Sequence, residues 1–370
     1  MLNRRYFIKF LLSSIVAAGC GSDIGRGSFT EDNSHDNKKT FKIYAVTDTS
    51  NWVIKDGVRI NLYDYKFIDG VTNYIKWSYI ESEEGIYNWK GLDRLLTEAA
   101  LSGKKLSYNI LGGDHAPDWA FDKYLIPAYH CWCCETETER RTYFPWIETQ
   151  NGRYLNTKIL EIWERTVENF AGFLKSHQFR NCISYITITG GPTSNGLEIM
   201  WSKLYNAPEL NWGSHEEELF IEFWKRLIDI YIRNFSDFPL GIAFADVFPN
   251  SSESCQISRN ISISNEIVKY ALAEAEQKNA IIRPLGLWFG NIPPELLSSH
   301  SLVEQFWNLG APFAVQGHIR TEDSSRLENM LYAAIDFGAN WIELWHSDVI
   351  DPNFQEVLIK FREEINFELN

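Results

Sequence analysis

Carboxylates, imidazoles and indoles gather in this chain just past short β-branched and aromatic runs. The carboxylates are Asp48, Glu81, Asp114, Glu198, Asp246 and Glu343, the imidazoles His115, His318 and His346, and the indoles Trp77, Trp288 and Trp345. Asn195 and Gln316 add amides to the same positions. In Trp341-Ile342-Glu343-Leu344-Trp345 a carboxylate stands between two indoles. Partial desolvation there raises its pKa and suits it to acid/base work. In Gly112-Gly113-Asp114-His115 a glycine pair lets the backbone approach a ligand closely and sets an acid and an imidazole beside it. Aromatic residues are 15% of the chain, with 14 Trp, 17 Tyr and 23 Phe. Such a surplus can line a cleft whose ligand has flat, partly apolar faces. The run His130-Cys131-Trp132-Cys133-Cys134 offers soft metal ligands, but its spacing is not that of a two-ligand knuckle and no second Cys/His pair follows. No metal or cofactor is therefore expected. Beyond Cys20 the cysteines are Cys131, Cys133, Cys134, Cys182 and Cys255. Outside the cytoplasm that odd number leaves at least one thiol unpaired or joined to another molecule.

Alternating elements must position these groups. Strands are expected at Phe41–Thr47, Val71–Trp77, Lys105–Ile110, Ile183–Thr189, Leu240–Ala245, Arg283–Phe289, Phe313–Gly317 and Trp341–Trp345. Between them, 3.6-residue apolar periodicity predicts helices at Gly91–Ser102, Thr157–Ser176, His215–Phe235, Asn265–Lys278, Ser325–Phe337 and Asn353–Ile365. Capping boxes are expected to open helices at Ser214, Ser301 and Ser325, with Gly103 and Gly310 as C-caps. The connection Asn51–Asp69 is the least helical. Strands alternating with helices imply a parallel sheet, and eight of them favour one closed (β/α)8 TIM barrel over residues 41–370. An open doubly wound sheet would carry a glycine-rich turn after its first strand. Here that turn reads Thr47-Asp48-Thr49-Ser50-Asn51. In a closed barrel the active end is formed by the C-terminal ends of the strands, where the groups above fall.

The N-terminus stands apart. Arg4, Arg5 and Lys9 precede a short apolar run, Phe10 to Ala18, and then Gly19 and Cys20. The run is too short to span a bilayer as a helix. It resembles a bacterial lipoprotein signal with Cys20 as the lipidated residue, and Arg4-Arg5 resembles a twin-arginine export signal. Residues 21–40 are polar and read as a flexible tether. Loss of residues 1–20, with three cations and no acid, takes the formal charge from −14 to −17. That charge excludes a broad electrostatic grip on nucleic acid. The expected location is the bacterial cell envelope, with the membrane reached only through the lipid on Cys20.

The segment Val71 to Trp89, with Trp77, an acidic turn ending in Gly85, and Tyr87-Asn88-Trp89 opening a helix, is followed by Gly103-Lys104-Lys105-Leu106 and Pro117-Asp118-Trp119. This arrangement resembles the family 42 β-galactosidase pattern and the wider clan A of barrel glycoside hydrolases. Ile186-Thr187-Ile188-Thr189-Gly190-Gly191-Pro192-Thr193-Ser194-Asn195-Gly196-Leu197-Glu198 resembles the fourth strand of that clan, which ends on the acid/base Glu. Leu197 stands where the clan places Asn directly before that Glu. The resemblance implies cleavage of O-glycosidic bonds in a carbohydrate, with Glu198 as general acid. Where the clan carries its strand-seven nucleophile this sequence reads Val315-Gln316-Gly317-His318, and an amide is no nucleophile, so either the strand register differs or the second carboxylate comes from elsewhere. Glu343 or Asp246 is then the second carboxylate. Strands four and eight face each other across the ring, so a Glu198–Glu343 pair implies wide separation and either inversion or an unusual mechanism. Asp48, Trp77, Glu81, Asp114, His115, Asn195, Trp288, Gln316, His318, Trp345 and His346 are expected to contact sugar. Gln316 also keeps open a second reading, a non-catalytic glycan-binding lipoprotein on a hydrolase-like barrel.

Overall fold

The computed structural model describes residues 41–130, 141–192, 196–199, 213–244, 254–289, 312–317, 323–336 and 338–368. Eight strands form the barrel: β1 Lys42–Thr47, β2 Gly70–Lys76, β3 Lys105–Leu111, β4 Ile183–Ile188, β5 Leu240–Phe244, β6 Ile282–Phe289, β7 Ala314–Gly317 and β8 Trp341–Trp345. Each pairs in parallel with the next, β8 pairs with β1, and β4 pairs with β5, so the sheet is closed. All eight strands lie where the sequence pattern places them.

Alternation along each strand feeds two separate apolar clusters. One side chain in two points outward against the helices: Ile43 and Ala45 on β1, Val71 and Ile75 on β2, Ile342 and Leu344 on β8. The others fill the barrel: Tyr44, Val46, Tyr74, Leu111, Tyr185, Ala243, Leu285, Leu287, Ala314 and Trp341. Inward and outward layers are therefore both built mainly of apolar side chains, as filling a ring of eight strands requires.

The helices are held by caps and by their buried stripes. In Thr157–Ser176 the Asn156 side chain accepts from the Ile159 N–H at 3.3 Å, and Ile159, Trp163, Thr166, Phe170 and Leu174 share the buried face. Ser214–Asn234 opens one residue earlier than the expected capping box, with Gly213 as N-cap, because Glu216 accepts the Gly213 N–H at 2.7 Å. Ser324–Asp336 is capped by Asp323, which accepts the Arg326 N–H at 2.7 Å, instead of by Ser325. Gly103, at φ +64°, closes Lys90–Leu101 as the sequence predicts. The caps expected at Ser301 and Gly310 lie outside the described residues. The last helix, Pro352–Glu368, ties the barrel's floor. Arg362 donates to the carbonyls of Phe41 and Phe67 and pairs with Asp69.

Among the described residues three antiparallel hairpins sit in the strand-to-helix connections: Trp52–Lys55 with Val58–Asn61, Ala128–His130 with Arg141–Tyr143, and Trp146–Thr149 with Gly152–Leu155. The sequence pattern shows only the first as a non-helical connection. Among the described residues no helix is long and apolar enough to cross a membrane.

Candidate active site

The fourth strand ends in an excursion that returns. After Ile188, paired with Ile242, the chain leaves the sheet and comes back as a two-residue strand, Glu198–Ile199. Its register is Glu198 with Ala243 and Ile199 with Phe244. Glu198 thus takes the next position up the same edge of β5, at the C-terminal end of the barrel. Of its two partners on β5, Ala243 belongs to the inner cluster and Phe244 to the outer one. The sequence resemblance that names Glu198 relies on a Gly-Pro turn, and the local packing explains its glycines. A Cβ on Gly190, at φ +92°, would stand 2.3 Å from Trp163 Nε1, and one on Gly191 would stand 2.2 Å from the Trp224 ring. Two helix indoles press directly on the turn.

Beside it lies the Gly-Gly-Asp-His turn that follows β3. Gly113–His115 is a single 3-10 turn in which the Asp114 carboxylate is almost fully enclosed and sits 3.4 Å from His115 Nε2. The two turns are in contact. Gly196, at φ +66°, packs on the Gly112 backbone so closely that a Cβ would be 2.9 Å from it. Tyr143 joins them: its hydroxyl donates to Gly190 O at 2.8 Å and accepts the Gly113 N–H at 3.3 Å.

On the other side of the barrel, Glu343 is fully buried. It shares register with Tyr44 on β1 and Gln316 on β7. Its carboxylate accepts from Thr72 Oγ1 at 2.9 Å, from the Tyr185 hydroxyl, and from Gln316 Nε2 at 2.6 Å. Gln316 also donates to the Tyr74 hydroxyl at 2.7 Å. Burial pushes the Glu343 pKa up to about 8, partly opposed by the Thr72 hydrogen bond. The direction is the one the sequence suggests, and its cause is full desolvation inside the barrel. At this level one β4 side chain crosses to β8. Tyr185, on β4, lies between the Tyr44 and Trp341 rings and spans the interior to reach Glu343.

Trp345 stands one inward position above Glu343, half-buried, with its ring 5.8 Å edge-on from Tyr74. His346 Nδ1 lies 3.2 Å from Val46 O at the end of β1. Asp48 is exposed beside it, and its carbonyl accepts from Asn73 Nδ2 at 2.8 Å.

Two expected sugar contacts have structural tasks instead. Trp77 and Glu81 are fully buried between the barrel wall and its helices. Glu81 accepts from Trp77 Nε1 at 2.8 Å, Thr166 Oγ1 at 2.7 Å and the Gly85 N–H at 2.9 Å. The Trp77 ring packs edge-on against Trp119 and Trp163. Their acidic turn is held from inside by Glu81. Asp246, Asn195, His318, Cys20, Cys131, Cys133 and Cys134 lie outside the described residues. Trp288 lies on β6, placed by its backbone alone. A shallow groove lined by Trp89, Glu168, Asn169 and Phe173 lies along the helix Thr157–Ser176 and holds none of the candidate residues. Tyr74, Tyr143 and Tyr185 are the functional neighbours that sequence reasoning missed. The two-residue alternation in Val71-Thr72-Asn73-Tyr74 and Ser184-Tyr185-Ile186 already marks Tyr74 and Tyr185 as inward.

No protein-family model matches the chain, and no curated protein matches it. Solved structures do share its fold. A β-galactosidase from Bacillus circulans sp. alkalophilus superposes with TM-score 0.54 at 11% identity, covering 89% of this chain and 56% of that one. A β-galactosidase from the psychrophilic Marinomonas ef1 gives 0.53 at 11%, covering 88% and 60%. An intracellular xylanase from Thermoanaerobacterium saccharolyticum, in complex with xylotriose, gives 0.50 at 11%, covering 83% and 86%. This chain spans less than two thirds of the length of either β-galactosidase. The common element is the closed eight-stranded parallel barrel with its surrounding helices.

Proposed function

We propose that this chain is an exported glycoside hydrolase that cleaves O-glycosidic bonds of an oligo- or polysaccharide. The observation that carries the reading is the register of Glu198 with Ala243, which sets the candidate acid at the end of the fourth barrel strand. The Asp114–His115 turn packs against the loop that carries it. Glu198 gives its proton to the leaving glycosidic oxygen as the bond to the anomeric carbon breaks. A second carboxylate attacks that carbon or takes a proton from the attacking water.

Glu343 is poorly suited to that second task. It has no exposed surface, three donors already occupy its oxygens, and burial holds its pKa up at about 8. Asp246, two residues past the end of β5, is the better candidate. Trp345 and His346 at the end of β8 then supply an aromatic face and a polar contact to sugar. The signal-like N-terminus puts the enzyme in the cell envelope, anchored through Cys20.

The experiment is turnover on a panel of aryl glycosides and polysaccharides, repeated with Glu198→Gln. Product release that the substitution removes supports the reading. A second reading, a glycan-binding protein without turnover, is favoured by one observation: Gln316 occupies β7 and is engaged by Glu343 and Tyr74. Binding without release, indifferent to Glu198→Gln, would select it.

A further inference from the structure

We propose that Tyr143 is a positioning residue, whose single hydroxyl holds the Glu198-bearing loop and the Asp114–His115 turn in one fixed frame. The functional half of this proposal rests on the hydrolase reading of Glu198; the mechanical half does not. Tyr143 closes the hairpin Ala128–His130/Arg141–Tyr143, which belongs to the connection after β3. Its ring is fully buried and braced by Phe121 and Phe223. The hydroxyl donates to Gly190 O at the start of the β4 excursion and accepts from Gly113 N–H at the start of the Asp114–His115 turn.

From Gly190 the constraint passes on through short steps. The Gly191 N–H donates to Gly196 O at 2.9 Å, closing the loop's neck. Gly196 then rests backbone to backbone on Gly112, which in turn leaves no room for a Cβ beside the Tyr143 hydroxyl. Leu197 enters the inner cluster, and Glu198 pairs with Ala243. Nine residues separate Ile188 from Glu198, so without such ties the strand register alone would have to locate Glu198. A buried hydroxyl with one donor and one acceptor, both on glycine backbone, ties the two turns together through main chain alone.

Tyr143→Phe removes both hydrogen bonds and keeps the ring. Amide hydrogen exchange on the full chain reads the mechanical half: exchange across 189–199 and 112–115 rises roughly 10-fold while β1 and β8 stay protected. Gly196→Ala, strained at φ +66° and clashing with Gly112, loosens the same two segments, which guards against an uninformative Tyr143 variant. On any glycan that the wild type cleaves, Tyr143→Phe lowers kcat about 10-fold with KM within twofold, and moves the alkaline limb of the kcat profile that reports the general acid. Unchanged exchange in both segments for both variants overturns the proposal. If the wild type cleaves nothing, the hydrolase reading fails and the exchange result still decides the anchor. Loosened loops with kcat and pH profile unmoved leave Tyr143 purely structural and overturn its positioning role.

Discussion

Tyr185 on β4 donates its hydroxyl across the barrel to the carboxylate of Glu343 on β8, so the middle of this barrel is closed by one polar bridge. Thr72 and Gln316 complete the carboxylate's partners from β2 and β7. The bridge has a consequence for stability against pH. Glu343 has an ordinary value of 4.5 that rises to about 8 on folding. Its neutral form is favoured in the native state, so its contribution is fully present below about pH 4.5 and is lost as pH rises toward 8. Within that window the slope is about −1.4 kcal/mol per pH unit for this one group. Glu343→Gln removes the titration and flattens that part of the profile in chemical denaturation between pH 5 and 8. Equal slopes in the two proteins would contradict the burial assigned to Glu343.

The two candidates for second carboxylate separate cleanly. Asp246→Asn is expected to lower kcat by roughly 10²–10⁴, the range for a lost acid/base group. Glu343→Gln keeps the bridge's shape and changes kcat by less than about 10-fold. Steady-state kinetics on one cleaved substrate decides between them, and the reverse order would return Glu343 to the chemistry.

Glycine at 190 and 191 is demanded by indoles, not only by a turn. Gly191→Ala drives a methyl to within 2.2 Å of Trp224, and Gly190→Ala does the same against Trp163 at 2.3 Å. Each is expected to cost about 1–3 kcal/mol through forced repacking, with Gly190→Ala the worse because its φ of +92° strains any side chain. Denaturant midpoints check this. A midpoint unchanged in both would mean that the indoles yield freely.

Export makes its own prediction. Fractionation of cells expressing the full chain should find it with membranes, and Cys20→Ala should move it to the soluble envelope fraction, since one lipidated cysteine is the only anchor expected. Membrane association that survives Cys20→Ala would refute the anchor.

Much of the scaffold was legible because each barrel strand alternates while each helix repeats at 3.6 residues. All eight strands and the main helices follow that pattern to within a few residues, save that Ser254–Gln277 begins well ahead of Asn265. Depth was not legible. Trp341-Ile342-Glu343-Leu344-Trp345 announces which residues face inward, but not that Glu343 lies below the mouth while Trp345 lies at it. Glu81 shows the same limit: a carboxylate in an acidic turn looks ligand-facing until Thr166, from a helix 85 residues away, is found donating to it. The hairpin that brings Tyr143 to Gly113 and Gly190 leaves no periodic signature, since its strands are three residues long. The Gly-Pro turn singles out Glu198 in the sequence, and the excursion returns its backbone to the register of β5.

The most direct test of the central claim is the rate of reducing-end release by wild type and Glu198→Gln on the same glycan panel. The account predicts release from at least one glycan by the wild type, reduced roughly 100-fold or more by the substitution, in a variant with unchanged unfolding midpoint. Release by the wild type that Glu198→Gln leaves intact, or glycan binding with no release at all, would contradict it.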